Sequence, residues 1–194
     1  MERYQQIMNF MREIEKMKLI IRISILSDQK TQEDDTQHSR HMAMMLMCLK
    51  DEMGLEFDML KAMKMIMLHD LGEIYVGDSF IAFDKEAKKL KDQREKESLE
   101  KVLSLLPDDL SSEFRNLTDE YIKHETIEAK IVKAIDQLQY KIQYLVSGGL
   151  YKGKNVDIER SAEKDYEYGR PRVEFNEYLH DMFKKLVAEA RQYD

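Results

Sequence analysis

The chain has 194 residues, enough for one domain with a substantial core, and its 43% hydrophobic and 36% charged residues are typical of a soluble helical protein. The excess of acidic over basic residues gives a net charge of −7, which argues against a general nucleic-acid surface. The single cysteine, Cys48, cannot form an intrachain disulfide, so we expect a reducing, cytoplasmic setting. No apolar run approaches the roughly 20 residues that a membrane span requires, and the N-terminus does not resemble a signal peptide.

Hydrophobic periodicity predicts a single all-α domain over residues 1–194, because apolar residues recur mainly at intervals of three and four and little alternates with period two. The part that carries the motifs described below covers about residues 10–150. We expect residues 27–35 to form a loop, residues 71–83 a tight turn or short irregular piece, and residues 151–172 an irregular cover or loop. The predicted helices span residues 4–26, 35–53, 57–70, 84–105, 110–122, 126–147 and 174–192.

Four residues in three places form a candidate ligand set for one divalent metal ion: His38, the adjacent pair His69 and Asp70, and Asp136. Imidazole and carboxylate ligands together suit a borderline metal that activates water. His69 and Asp70 end a predicted helix, where neighbouring side chains can flank one ion from two sides. Asp136 lies at the edge of a buried stripe, where a carboxylate needs an ion pair or a metal. His41 offers the same chemistry as His38, so the spacing leaves both open.

Two acidic residues follow the His-Asp pair and favour chemistry over a structural ion. Glu73 comes three residues after Asp70 and shares its face if the helix continues, and Asp78 follows Gly77, where the chain can turn back. Each motif alone has a structural explanation, such as a histidine held by a carboxylate at a helix end. The lysine-rich residues 85–89 are expected to form a solvated helix face rather than a phosphate-binding patch.

These motifs resemble the HD-domain metal phosphohydrolases, and within them the branch that includes the 5′-deoxynucleotidases. The block from His69 to Asp78 is similar to the family's His-Asp-x-x-Glu followed by Gly-Asp. The resemblance implies a helical bundle of the HD-domain type, and it selects His38 rather than His41 as the first metal ligand and Asp136 as the fourth. It implies one divalent ion, which would be Mn, Co, Fe, Mg or Zn. The resembling segments are residues 17–22, 33–41, 69–78, 105–109 and 133–139.

The resemblance also implies roles for three further residues. Arg22 would bind phosphate oxygens as a substrate-binding residue, while Glu73 and Asp78 would be catalytic, orienting the attacking water and moving protons. The expected reaction is hydrolysis of a small-molecule phosphomonoester, foremost the 5′-phosphate of a (deoxy)nucleoside monophosphate, with no nucleic-acid or membrane partner.

Three alternatives stay open at this stage. A phosphodiesterase or a nucleotide polyphosphate hydrolase could use the same ligands, and so could a non-catalytic metal-dependent nucleotide binder. The first two usually need more basic side chains, and the sequence indicates no further basic cluster near the motifs. Exposed apolar residues of the first and last helices, together with the resemblance, favour a homodimer.

Overall fold

The computed structural model describes residues 2–79, 85–150 and 162–193. Within these ranges the chain forms eight α-helices and a two-stranded hairpin, which confirms the predicted all-α class. No helix in these ranges has the length and hydropathy needed to cross a membrane. Shorter 3₁₀ helices span Glu15–Leu19, Leu71–Tyr75 and Arg191–Tyr193. The principal elements are α1 (Arg3–Ile14), β1 (Ile21–Ile25), β2 (Gln32–Asp34), α2 (Asp35–Leu49), α3 (Met59–Leu68), α4 (Lys85–Leu103), α5 (Asp108–Lys123), α6 (Ile127–Val146), α7 (Ala162–Val173) and α8 (Glu177–Ala190).

Helix α6 is the centre of the fold and packs against α2, α3, α5, α7, α8 and β1. Its N-terminus is capped by Thr126, whose side chain accepts a hydrogen bond from the Ala129 amide. Burying one large apolar side chain stabilises a fold by about 1.5–3 kcal/mol, so packing rather than helix propensity holds α6 in place. The core side chains that it buries completely include Ile131, Val132, Ala134, Ile135 and Leu138.

The segment predicted as one helix over residues 4–26 divides into three elements, so that prediction is wrong. Helix α1 ends at Ile14, a 3₁₀ helix follows, and β1 then pairs antiparallel with β2. The isoleucines of β1 fit both a helical and an alternating pattern, and β-branched side chains favour the extended form once a partner strand is present. That partner lies within residues 27–35, predicted as a loop. The connecting turn is closed by Asp28, whose carboxylate accepts a hydrogen bond from the Thr31 amide at 2.9 Å.

The prediction of an irregular cover over residues 151–172 is wrong for its second part, because residues 162–173 form α7. Residues 151–161 lie outside the described residues, as do residues 80–83 of the predicted 71–83 turn. Helix α7 is charged and lacks a clear apolar period, so its sequence does not predict a helix. It is held by packing against α6 and α8 and by an ion pair between Asp165 and Lys141 of α6.

Candidate active site

Two histidines present their Nε2 atoms to one region between α2, α3 and α6. His38 lies in the first turn of α2, which begins with a capping box, and His69 directly follows α3. Nδ1 of His38 lies 2.7 Å from Oε1 of Gln139, and Nδ1 of His69 lies 2.8 Å from the carbonyl oxygen of Ile66. Because a neutral imidazole carries one proton, these acceptors place it on Nδ1 and leave the Nε2 lone pairs for another partner.

Two carboxylates meet these Nε2 atoms. An oxygen of Asp70 lies 3.0 Å from Nε2 of His69 and 3.9 Å from Nε2 of His38, and an oxygen of Asp136 lies 3.2 Å from Nε2 of His38. Both Nε2 atoms are buried, yet neither makes a hydrogen bond of ordinary geometry with a described residue. Ligand atoms of His38, His69 and Asp136 all lie within 4.8 Å of one another. The structure therefore brings together all four residues predicted as ligands, and their unpaired nitrogens fit a divalent ion.

The same contacts keep both carboxylates ionised. Burial opposes ionisation of Asp136, but the His38 imidazole, whose Nε2 lies 3.2 Å away, outweighs burial and lowers the pKa of Asp136 to about 2. Burial also opposes ionisation of Asp70, and His69 and Arg22 nevertheless hold its pKa far below the usual range. Burial lowers the pKa of His69, but the Asp70 carboxylate outweighs it and raises that pKa to about 9. Metal binding here competes with a proton on the imidazole.

Arg22 joins the hairpin to this cluster. Its Nη1 lies 2.9 Å from Asp70 and 3.1 Å from Asp35, and its Nε lies 3.6 Å from Glu33. Burial lowers the pKa of the guanidinium, but the surrounding carboxylates, led by Asp70, raise it well above its usual value. None of these contacts uses Nη2, which leaves that nitrogen for an oxygen of a ligand. The predicted substrate-binding residue thus lies at the cluster with its orientation fixed.

Glu73 belongs to a second acidic group, in which carboxylate oxygens of Asp35, Asp70 and Glu73 lie within 4.8 Å of one another. Burial and the charge of Asp70 raise the pKa of Glu73 to about 10 and that of Asp35 to about 7. Gly72 lets this turn approach α4, since a Cβ there would lie 2.8 Å from the backbone oxygen of Glu95. Neighbouring carboxyl groups with widely separated pKa values are typical of sites that perform acid–base chemistry.

The turn that follows Glu73 brings the second predicted catalytic residue, Asp78, to the same cavity. Gly77 has a φ of 76°, a left-handed conformation that glycine adopts without strain. Lys91 of α4 donates a hydrogen bond to the Ser79 carbonyl oxygen at 2.7 Å and lies 3.4 Å from Oε1 of Glu73. Lys91 therefore ties the Asp78 turn to Glu73.

A cavity of about 1110 Å³ opens beside these residues, and basic side chains stand on its walls. Helix α4 contributes Lys88, α6 contributes Lys133 and α7 contributes Arg172. One expectation is therefore wrong: that the motifs have no further basic cluster near them. Lys88 and Lys89 are exposed, in line with the solvated face predicted for residues 85–89, although both also line the cavity. The residues of the basic cluster belong to three helices that are distant in sequence, so only the fold brings them together.

The site also contains residues whose roles the sequence did not indicate. Gln139 contacts His38 through Oε1, and its Nε2 donates a hydrogen bond to Glu33 at 2.7 Å. Glu33, Asp35 and Gln139 all lie within segments that resemble the family. The sequence therefore indicated that these positions matter, but it did not indicate what the side chains do. His41 lies 3.3 Å from the Gln139 amide and is not part of the ligand cluster.

This arrangement defines a helical protein with a buried His/Asp site suited to a metal, and comparisons with known proteins agree. A sequence model of the HD domain matches residues 14–174. A 5′-deoxynucleotidase HDDC2 from Dictyostelium discoideum is 33% identical over 162 residues, covering 81% of this chain and 81% of that protein. The protein of the same name from Xenopus laevis is 32% identical over 167 residues, covering 84% of this chain and 81% of its own.

Solved structures resemble the chain over nearly its whole length. A predicted metal-dependent phosphohydrolase from Magnetospirillum magnetotacticum has a TM-score of 0.85 at 30% identity, covering 98% of this chain and 95% of that one. An HD-domain phosphohydrolase from Listeria innocua shares the fold, with a TM-score of 0.62 at 18% identity over 97% and 99% of the two chains. The chain belongs to the HD domain family, which confirms the resemblance seen in the sequence motifs.

Proposed function

We propose that the protein is a divalent-metal-dependent phosphomonoesterase that removes the 5′-phosphate of (deoxy)nucleoside monophosphates. The observation that carries this proposal is the convergence of two unpaired, buried Nε2 atoms with the ionised carboxylates of Asp70 and Asp136 beside an open cavity. Its similarity to proteins named 5′-deoxynucleotidase and metal-dependent phosphohydrolase supports the same reaction class.

His38, His69, Asp70 and Asp136 are the residues that would hold the metal. Two nitrogens and two carboxylates suit Mn²⁺, Co²⁺, Fe²⁺ or Zn²⁺ better than Mg²⁺, which prefers oxygen ligands and retains water. The bound ion supplies Lewis-acid chemistry at the phosphate and at water.

The remaining site residues bind the ester and handle protons. Arg22 holds a phosphate oxygen through Nη2, and its carboxylate contacts fix its orientation before the substrate arrives. Glu73 and Asp78 orient the attacking water and move protons between it and the leaving 5′-oxygen. The raised pKa of Glu73 suits this exchange, because a protonated carboxyl can donate to an oxygen that develops charge.

A polyphosphate hydrolase or phosphodiesterase is the second candidate, and the basic walls of the cavity favour it. Lys88, Lys133 and Arg172 would suit a substrate with more than one phosphate group. A non-catalytic nucleotide binder is disfavoured, since it would have no use for two acidic residues, Glu73 and Asp78, on the same cavity.

A phosphate-release screen distinguishes these functions. Chelator-treated protein is incubated with nucleoside mono-, di- and triphosphates and with a cyclic diester, with and without added Mn²⁺ or Co²⁺. The proposal expects inorganic phosphate from the monophosphates only, and only with metal. Release of pyrophosphate or opening of the diester would establish the second candidate. Nucleotide binding without turnover under any metal would establish a binder.

We also propose a cytoplasmic location and a homodimeric state. The exposed thiol of Cys48 suits a reducing compartment. Tyr4 and Met11 of α1 and Tyr178 of α8 expose apolar surface of the kind that a second copy would cover. Sedimentation over a range of concentrations tests the dimer, and a monomer throughout would contradict it.

A further inference from the structure

Two basic side chains on the cavity wall form no ion pair with any residue in the described part of the chain. Nζ of Lys133 lies 4.2 Å from the centre of the Tyr121 ring. The guanidinium carbon of Arg172 lies 4.2 Å from the centre of the Tyr168 ring. Nη1 of Arg172 also donates a hydrogen bond to the Tyr168 carbonyl at 2.5 Å. The aromatic rings hold both cations at the cavity without neutralising their charge.

These cations differ from Arg22, whose charge is already balanced by three carboxylates at 2.9–3.6 Å. Burial lowers the pKa of Lys133, and the positive charges of Arg172 and Lys88 lower it further. The negative charge of Asp136 raises this pKa but does not offset the other effects. Positive charges gathered in a cavity without a carboxylate at ion-pair distance stabilise an incoming anion.

The Lys133 ammonium is also placed close to the metal-ligand cluster. Lys133 precedes Asp136 by three residues on α6, so both side chains leave the same face of the helix. The Tyr121 ring beneath the ammonium lies 5.7 Å from the His69 ring, centre to centre. The ligand cluster therefore has two cations near it, Arg22 among the carboxylates and Lys133 one turn from Asp136 on α6.

We propose that Lys133 and Arg172 form an anion subsite that binds the phosphate group undergoing hydrolysis. The link to hydrolysis rests on the proposed function, whereas binding of inorganic phosphate at the subsite does not. A phosphate dianion next to ionised Asp70 and Asp136 is repelled unless further positive charge is present. The charge of Arg22 is already balanced by carboxylates. The further positive charge that a phosphate needs is therefore supplied by Lys133 of α6 and Arg172 of α7.

The test compares Lys133→Met with Lys130→Met in the full-length protein loaded with Co²⁺. Both variants remove one positive charge from α6, but Lys130 does not line the cavity. Binding of inorganic phosphate is measured by calorimetric titration and by competitive inhibition of nucleotide hydrolysis. Lys133→Met should weaken phosphate binding about 10- to 100-fold, the effect of losing one hydrogen bond to a charged group, and raise KM in parallel with a smaller change in kcat. Lys130→Met should leave phosphate binding unchanged.

Two further variants keep the test decisive if Lys133→Met folds poorly. Lys133→Arg should recover most of the affinity, and Arg172→Met should weaken phosphate binding independently. Unchanged binding of inorganic phosphate in folded Lys133→Met and Arg172→Met overturns the subsite. A loss of affinity confined to nucleotides with a second phosphate also overturns the subsite, because the two cations would then bind a phosphate other than the one hydrolysed. If the wild type binds phosphate in a Lys133-dependent way but hydrolyses no nucleotide, the subsite stands and the proposed function fails.

Discussion

Two lysines of α6, Lys141 in its C-terminal half and Lys133 in its N-terminal half, have opposite electrostatic surroundings. In the C-terminal half, Lys141 is fully buried and paired with Asp165, and Gln143 donates a hydrogen bond to the Ile25 carbonyl at 2.7 Å. In the N-terminal half, Lys133 faces the cavity without a carboxylate partner among the described residues. The first arrangement satisfies polar groups within the fold, and the second leaves charge available to a ligand.

Unpaired polar atoms also gather around the ligand cluster to which Asp136 of α6 belongs. Buried atoms without a hydrogen bond to a described residue include Nε2 of His38 and His69, Oδ2 of Asp35 and Oε2 of Glu73. Each costs stability, because a buried polar group without a partner loses its hydration. The polar groups around Lys141 are satisfied within the fold, whereas those around the ligand cluster are not, so variants at Lys141 and at the cluster should separate stability from activity.

The largest expected effect on rate comes from Glu73→Gln. The amide has nearly the same shape but cannot exchange a proton, so kcat should fall by roughly 10²- to 10⁴-fold. The free energy of unfolding should be unchanged or higher, because a buried ionisable group is removed. Steady-state kinetics, elemental analysis and urea unfolding check this, with the exposed Glu97→Gln as control. Loss of metal together with turnover would make Glu73 a ligand instead.

The opposite behaviour is expected of Lys141→Met. Removing Lys141 breaks its buried ion pair with Asp165, and breaking such a pair from one side costs about 3–5 kcal/mol of unfolding free energy. Turnover per folded molecule should be retained at low temperature. Urea unfolding measures the loss, and the double variant with Asp165→Leu should recover most of it. A large loss of rate with normal stability would break the distinction between the two halves.

The difference between the halves also explains what the sequence could predict. Metal chemistry restricts residue types, so His38, His69, Asp70 and Asp136 were visible as motifs. Helix α6 was predicted within a residue at each end, because its apolar period is long and Thr126 caps it. The strand β1 was missed because three alternating isoleucines also fit a helix, and the partner strand is a tertiary feature. The basic wall was missed because its residues converge only after α4, α6 and α7 have packed.

A smaller effect is expected of Gln139→Ala, a substitution on α6 next to the predicted metal ligand His38. Gln139 orients His38 and contacts Glu33, so its loss should weaken metal affinity about 10- to 100-fold, as is usual for a residue that positions a ligand. Competition with a fluorescent chelator measures the affinity. Turnover at saturating metal should be largely restored. Unchanged metal affinity would show that Gln139 does not hold His38 in its binding orientation.

The smallest effect is expected of His41→Ala. His41 lies one turn beyond His38 but outside the ligand cluster. Its removal should change stability by no more than about 0.5 kcal/mol, the range of substitutions away from special contacts, and should leave metal content unchanged. Thermal unfolding and elemental analysis check this. A variant purified without metal would mean that the choice of His38 over His41 is wrong.

The most direct test of a metal-dependent phosphohydrolase at this site compares wild type with Asp136→Ala. Both proteins are purified in parallel, and their metal content, circular dichroism and release of phosphate from deoxyadenosine monophosphate are measured. The wild type should retain a divalent ion and lose activity reversibly on chelation. The variant should keep its helical spectrum but retain neither metal nor turnover. A folded Asp136→Ala protein that keeps both would contradict the assignment.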